Sequence, residues 1–235
     1  MSDRVKLAGW TETLERSALE EMLFATANRE VLSLALGLPA PELFPRVAIE
    51  QAIARRFEED PRALQYGPPL QDLRAFVAGL MEERGVRCAP EQIFLTAGAQ
   101  QGMSLITRLL LEPGAPVALE SLCYSGFTQC LAPLGARALR VPLDPARGVD
   151  LDALDSLFAR EHPALFYTLS DGHNPLGLSL AADARARLVA LARAHRVPIL
   201  EDDAYGFLQY DDAPRPALRA LDSDWVIYLG SFSKT

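Results

Sequence analysis

The sequence predicts an α/β fold, a mostly parallel sheet with helices on both faces. From about residue 90 onward, short and nearly continuous apolar runs alternate with segments of helical period. Residues able to do chemistry recur where those runs end, which is where ligands sit in sheets of this kind. Apolar residues at 49% and charged residues at 23% match a chain that buries a core while keeping a polar surface.

The elements follow in order. Residues 92–96 are the first expected strand and 100–111 the helix after it. The next strand is expected over 116–120, then a helix over 127–134, a strand over 138–143 and an amphipathic helix over 151–160. A buried strand is expected over 164–169, and a long helix over 182–195 with Leu188, Leu191 and Ala192 on one face. Strands over 197–200 and 225–229 complete the series. The first part of the chain differs. Helices are expected over 13–28, 47–59 and 70–84, with an extended stretch over 32–38 and a proline-broken segment over 39–45.

Composition narrows the function classes. The chain of 235 residues has a net charge of −8 and no basic cluster, which argues against nucleic acid and anionic membrane as partners. No stretch approaches a membrane span, and the first ten residues lack the apolar core of a secretory signal. Cys88, Cys123 and Cys130 are too few and too scattered for a disulfide framework or a zinc site, so reduced thiols in the cytoplasm are expected. No metal is expected.

Five places along the chain carry candidate chemistry. The run Thr-Ala-Gly-Ala-Gln-Gln-Gly at 96–102 joins a strand to a helix, and its small residues and free helix N–H groups suit a phosphate. Tyr124 follows the next strand and can lie on a planar ligand. In the turn His-Asn-Pro-Leu-Gly at 173–177, Asn174 offers an amide N–H to an anionic oxygen, and His173 reads as a loop residue. Glu201, Asp202 and Asp203 then follow a strand. Consecutive carboxylates there are commonly solvated or metal-bound, yet an aspartate facing a pyridine nitrogen would hold it protonated. Tyr205 lies three residues beyond Asp202. The closing run at 228–234 offers the hydroxyls of Ser231 and Ser233 and the amine of Lys234, a group able to form a Schiff base with an aldehyde.

A phosphate turn, a tyrosine, an Asn-Pro-x-Gly turn, an Asp-x-x-Tyr strand end and Ser-x-Ser-Lys come in that order, each at a successive strand end. In this the chain resembles the fold-type I pyridoxal-phosphate enzymes of the class I/II aminotransferases. Residues 36–45, 64–67 and 228–234 are especially similar to the 2-aminoadipate and kynurenine-type branch. The resemblance implies pyridoxal 5′-phosphate as cofactor, with amino acid and 2-oxo acid as substrates. It implies that Lys234 carries the cofactor as the internal aldimine and shuttles a proton. Asp202 would pair with the pyridinium nitrogen, and Asn174 and Tyr205 with the ring oxygen. Gly98, Ala99 and Gln100 would hold the phosphate with Ser231 and Ser233, while Tyr124 stacks on the ring. Gly37 would lie near the substrate carboxylate, with Asn174. Tyr66 would reach the phosphate of a neighbouring subunit in a homodimer.

The resemblance divides the chain into an N-terminal segment, 1–45, serving a small domain and the substrate side, and a cofactor-binding large domain, 46–235, that is incomplete. Relatives continue beyond the lysine with further phosphate- and substrate-binding arginines and one more sheet strand, so truncation is expected. Leu36 stands where the branch usually has glycine and Leu176 where it has threonine. Alternatives are a lyase or decarboxylase of the same fold, or a non-catalytic, ligand-sensing regulatory domain.

Overall fold

The computed structural model describes residues 5–13, 37–210 and 215–234. Its centre is a five-stranded sheet, wholly parallel, built from β1 (Pro116–Glu120), β2 (Arg137–Val141), β5 (Leu165–Thr168), β6 (Ile199–Asp203) and β7 (Val226–Gly230). The spatial order is β2-β1-β5-β6-β7. The chain moves outward from β1 to β2, then returns to lay β5 on the other side of β1. That reversal opens a crevice at the carboxyl ends of β1 and β5, the usual ligand position in such sheets.

Alternation along the strands sorts side chains onto two faces. Val117, Leu119, Leu165, Tyr167, Leu200 and Leu229 pack with Met103 of α3 (Ala99–Leu110) and with Phe127 and Leu131 of α4 (Ser125–Leu131). On the opposite face Ala118, Phe166, Ile199 and Val226 pack with Leu154 and Phe158 of α5 (Leu151–Glu161) and with Leu188 and Ala192 of α6 (Ala182–His195). Strands covered on both faces read as continuous apolar runs, which is why they were legible. Helix α5 starts where Asp150 accepts from the backbone N–H groups of Asp152 and Ala153, both at 3.0 Å. Two helices precede the sheet, α1 (Arg46–Glu59) and α2 (Gln71–Glu83). A short α7 (Leu218–Leu221) comes before β7.

Several expectations shift. Residues 92–96 form no strand. A 3₁₀ turn, Pro90–Gln92, is followed by backbone that pairs with no strand among the described residues, and Phe94 is exposed. An apolar β-prone run becomes a strand only beside a partner edge. The strand expected over 138–143 stops at Val141; beyond Pro142, β3 (Leu143–Asp144) makes a small antiparallel pair with β4 (Gly148–Val149). The helix expected over 127–134 begins earlier and ends in a 3₁₀ turn at Ala132–Leu134 around Pro133, which has no amide hydrogen to donate to the ladder. Strand β6 starts two residues later than expected and runs through Asp203, so the three carboxylates lie inside the strand. The remaining residues of the first expected helix, 14–28, and the extended stretch up to Leu36 lie outside the described residues. No described helix is long and apolar enough to cross a membrane.

At the carboxyl ends of the strands one sheet face turns polar. Arg84, just past α2, is buried and donates to Asp203 at 3.0 Å, to Asp171 at 2.5 Å and to the Arg215 carbonyl at 2.7 Å. Arg185 of α6, also buried, donates to the other Asp171 oxygen at 2.6 Å and to the carbonyls of Ser170, Leu180 and Pro216, each at 2.9 Å. This cluster ties α2, α6 and β6 to the loop after β5. Truncating one partner of a buried ion pair strands the other charge, typically at ~3–5 kcal/mol. Arg84→Met is therefore expected to lower unfolding stability by about that amount, measured as a reduced urea midpoint with an unchanged slope.

Candidate active site

Helix α3 starts at Ala99 after Gly98, whose φ of 88° and ψ of 160° suit a residue without a side chain. A helix start leaves its first N–H groups without intrahelical acceptors, and those of Ala99 and Gln100 lie here. The Gln100 side chain is otherwise engaged. Its amide donates to the Gly126 carbonyl at 2.7 Å and to Cys130 Sγ at 3.2 Å, joining the start of α3 to α4. Of the donors Gln100 could offer an anion, the backbone N–H remains.

Tyr124 immediately precedes α4, at the carboxyl end of β1. Its half-buried ring folds over Gly126, where an added Cβ would lie 2.3 Å from the ring and 2.6 Å from Gln100 Oε1. Gly126 is thus required by the approach of two site residues. Sequence reasoning passed over it because its only signal was a glycine two positions after Tyr124. Burial, then the charge of Asp202, pushes the Tyr124 hydroxyl up.

The three carboxylates of β6 are all buried, and alternation sends them to different surroundings. Glu201 accepts from Ser170 Oγ at 2.7 Å and from the backbone N–H groups of Leu218 and Arg219 at 2.7 and 3.0 Å. Even so, burial pushes its carboxyl up to about 7. Asp203 faces Arg84 and accepts from Tyr228 Oη at 2.8 Å. Asp202 points to the other face and, among the described residues, accepts one side-chain hydrogen bond, from Tyr167 Oη to its Oδ2 at 2.6 Å. Burial pushes Asp202 up to about 6; the Tyr167 bond pulls the other way, the neighbouring Asp203 charge adds to the rise, and no cation among the described residues contributes. None of the three is solvated, because a carboxylate can be buried in a strand when donors or an arginine take up its charge. No group of three or more metal-ligating side chains is assembled among the described residues.

Tyr205 lies near enough to Asp202 to feel its charge. Its hydroxyl is pushed up by burial, then by the charges of Asp202 and of Tyr124, which brings the three into one cluster. Its ring packs on Gly172, where an added Cβ would meet Tyr205 Cβ at 2.8 Å, and a Cβ on Gly37 would touch Tyr205 Oη at 4.0 Å. The structure thus brings Gly37 to Tyr205.

Asn174 lies half-buried between two fixed points. Asp171 is held by both buried arginines, and His173 Nε2 meets Glu120 Oε2 at 2.6 Å, with Thr168 donating to Glu120 Oε1 at 2.7 Å. His173 is therefore a buried anchor of this loop. Arg84, Arg185, Glu120 and Asp171 could not be found from sequence, since each acts through partners 14 to 119 residues away. Leu176 is half-buried in the same loop.

Strand β7 runs beside β6 with Asp202 opposite Leu229 and Asp203 opposite Gly230, so residues 231–234 leave the sheet at the end where Asp202 lies. The Ser233 N–H donates to Ser231 Oγ at 3.1 Å, which leaves the Ser231 hydroxyl hydrogen free for another acceptor. Ser233 is exposed and Lys234 half-buried. Tyr66 stands apart: it is 102% exposed, in the segment between α1 and α2.

The cluster suits a planar ligand with a cationic end and an anionic end. Asp202 is a buried carboxylate whose charge no cation among the described residues offsets, so a ring N–H⁺ against it would be stabilised. The N–H groups at the start of α3 suit the anionic end. Pyridoxal phosphate, expected from the sequence, has both.

Comparison with known proteins decides the family. The description "Aminotransferase class I and II" matches residues 29–235. The chain belongs to the class I and II aminotransferases. It is 39% identical to 2-aminoadipate transaminase of Thermus thermophilus, covering 98% of this chain and 60% of that protein. It is 30% identical to the mitochondrial kynurenine/alpha-aminoadipate aminotransferase of Mus musculus, covering 91% and 56%. The chain thus spans about 60% of the length of the first of these relatives. Among solved structures, alpha-aminoadipate aminotransferase of Thermus thermophilus complexed with N-(5′-phosphopyridoxyl)-L-leucine superposes with a TM-score of 0.83 at 38% identity, covering 97% of this chain and 59% of that one. An archaeal alanine:glyoxylate aminotransferase gives 0.86 at 29% identity, covering 97% and 60%.

Asp202 binds its proton more tightly in the folded chain (about 6) than at its ordinary value of 3.8. Such a group favours the folded state below about pH 4 and loses that contribution as pH rises through about 6. In the cofactor-free protein, Asp202→Asn is expected to raise stability by ~1–3 kcal/mol at pH 8, with little change at pH 4. Urea unfolding at the two pH values measures both.

Proposed function

We propose that the chain is the cofactor-binding part of a pyridoxal-phosphate-dependent aminotransferase that moves an amino group from an amino acid to a 2-oxo acid. The observation that carries this reading is Asp202, a buried carboxylate with no cation beside it among the described residues, whose charge reaches Tyr124 and Tyr205. The similar alpha-aminoadipate enzyme, complexed with a phosphopyridoxyl–leucine adduct, supports it. When bound, the cofactor supplies an aldehyde for an amine and a ring that withdraws electrons from the bond being broken.

Each residue then has a task. Asp202 keeps the ring nitrogen protonated, and Tyr124 lies on the ring. Asn174 and Tyr205 donate to the ring oxygen. Gly98, Ala99 and Gln100 bind the phosphate through backbone N–H groups, joined by the hydroxyls of Ser231 and Ser233. Lys234 Nζ is the amine that attaches the cofactor, and it takes the proton from the substrate α-carbon. Gly37 and Asn174 border the substrate carboxylate. In this reading 1–45 serves the substrate side and a small domain, and 46–235 the large domain. The protein acts in the cytoplasm as a homodimer in which Tyr66 completes the partner's phosphate site, without nucleic acid or membrane. Donors to try first are those named for the relatives: 2-aminoadipate, kynurenine and aromatic amino acids.

The protein is incubated with each donor and a 2-oxo acid acceptor, and all products are quantified. Equal amounts of the new 2-oxo acid and the new amino acid are expected, with no ammonia. Lys234→Ala is expected to slow turnover by about 10²–10⁴-fold, the usual contribution of a positioned acid–base group. Ammonia released with no new amino acid would point instead to a lyase.

A further inference from the structure

We propose that Tyr167 is a positioning residue for Asp202: its hydroxyl fixes one carboxylate oxygen so that the other is presented to the cofactor's ring nitrogen. This rests on the aminotransferase reading above and adds a residue that it does not include.

The geometry is specific. Strands β5 and β6 are parallel neighbours with Tyr167 opposite Leu200, so Asp202 lies two residues further along on the same face. A tyrosine side chain leaning along its strand spans that diagonal. Its hydroxyl meets Asp202 Oδ2 at 2.6 Å, and the two residues are 1% and 4% exposed. The ring cannot swing away. Phe127 of α4 stacks on it with centroids 3.9 Å apart and planes 4° from parallel, and Leu119, Leu200 and Leu229 belong to the same cluster.

A satisfied core tyrosine would need only some acceptor, and a backbone carbonyl would serve. Here the acceptor is the one β6 carboxylate that, among the described residues, has neither a cation nor a backbone N–H beside it. The phenol remains a donor at any working pH, since burial and then the Asp202 charge hold its ionisation well above the ordinary range. With Oδ2 occupied, Oδ1 has no protein partner among the described residues and is the oxygen left for a ligand N–H. The titratable groups whose charges couple to this pair are Asp203 on the same strand but the opposite face, Cys123 and Tyr124 after β1, Glu120 at the end of β1, and Tyr205.

The test compares binding of pyridoxal phosphate with binding of its 1-deaza analogue, in which C–H replaces the ring nitrogen. The unsubstituted protein is expected to prefer pyridoxal phosphate, and Asp202→Asn to abolish that preference. Tyr167→Phe keeps the stacked ring and removes only the hydroxyl. It is expected to weaken pyridoxal phosphate binding by about 10- to 100-fold, the usual value of a hydrogen bond to a charged group, while leaving analogue binding within about twofold. In the cofactor-free variant the Asp202 carboxyl, followed by side-chain NMR, is expected to titrate at higher pH than in the unsubstituted protein. If the unsubstituted protein shows no preference, the cofactor reading itself fails. If that preference is present and Tyr167→Phe retains it in full, the role of Tyr167 alone is overturned. A second measurement does not need the variant to fold. In the unsubstituted protein the Tyr167 hydroxyl proton is expected as a slowly exchanging downfield resonance that moves in Asp202→Asn, and its absence or insensitivity to Asp202→Asn overturns the proposal.

Discussion

Strand β6 carries three consecutive carboxylates into a region closed to water, and the rest of the site is arranged around how each is held. Strand alternation separates them: Glu201 and Asp203 face one side of the sheet and Asp202 the other. Glu201 is surrounded by neutral donors and Asp203 by Arg84. Asp202 has a single phenol. Its charge is therefore the least compensated of the three and the one best able to attract a cationic ligand. A buried carboxylate in that condition costs stability, and a ring N–H⁺ placed against it would be stabilised.

The ligand-facing side of β6 is precise because the other side is rigid. Arg84 and Arg185 share Asp171, and Arg84 also reaches Asp203, so the loop after β5, helices α2 and α6 and strand β6 form one buried polar cluster. Glu120 adds a second anchor through His173 and Thr168. Asn174 sits between these fixed points on a loop that would otherwise have freedom to move. Tyr124 is set by the same kind of close packing, over Gly126 and against Gln100. The candidate site residues occupy loop and strand-end positions whose supports lie one layer deeper in the sheet.

Much of this was legible in the sequence, for reasons particular to each element. Strands buried on both faces show as unbroken apolar runs, so β1, β5 and most of β7 stood out. Helix α6 was found to the residue because its apolar face repeats at helical spacing. Residues 92–96 have the composition of a strand but no paired edge among the described residues, and composition says nothing about partners. Strand β6 extends through Asp203 because carboxylates rarely enter strands unless partners await them, and Arg84 lies 119 residues away in the chain.

The sequence by itself determined the order of chemically capable turns, the α/β class and the identity of the groups that could meet a planar, phosphorylated ligand. These depend on residue type and local spacing, which the chain states directly. Only the tertiary structure decided how each of the three carboxylates is held, that His173 is an anchor, that the Gln100 side chain is already engaged, that Tyr167 meets Asp202, and that Gly126 lies against the Tyr124 ring. Those assignments depend on strand register and on contacts between segments far apart in the chain, and a register shift of one residue would send Asp202 to the opposite face.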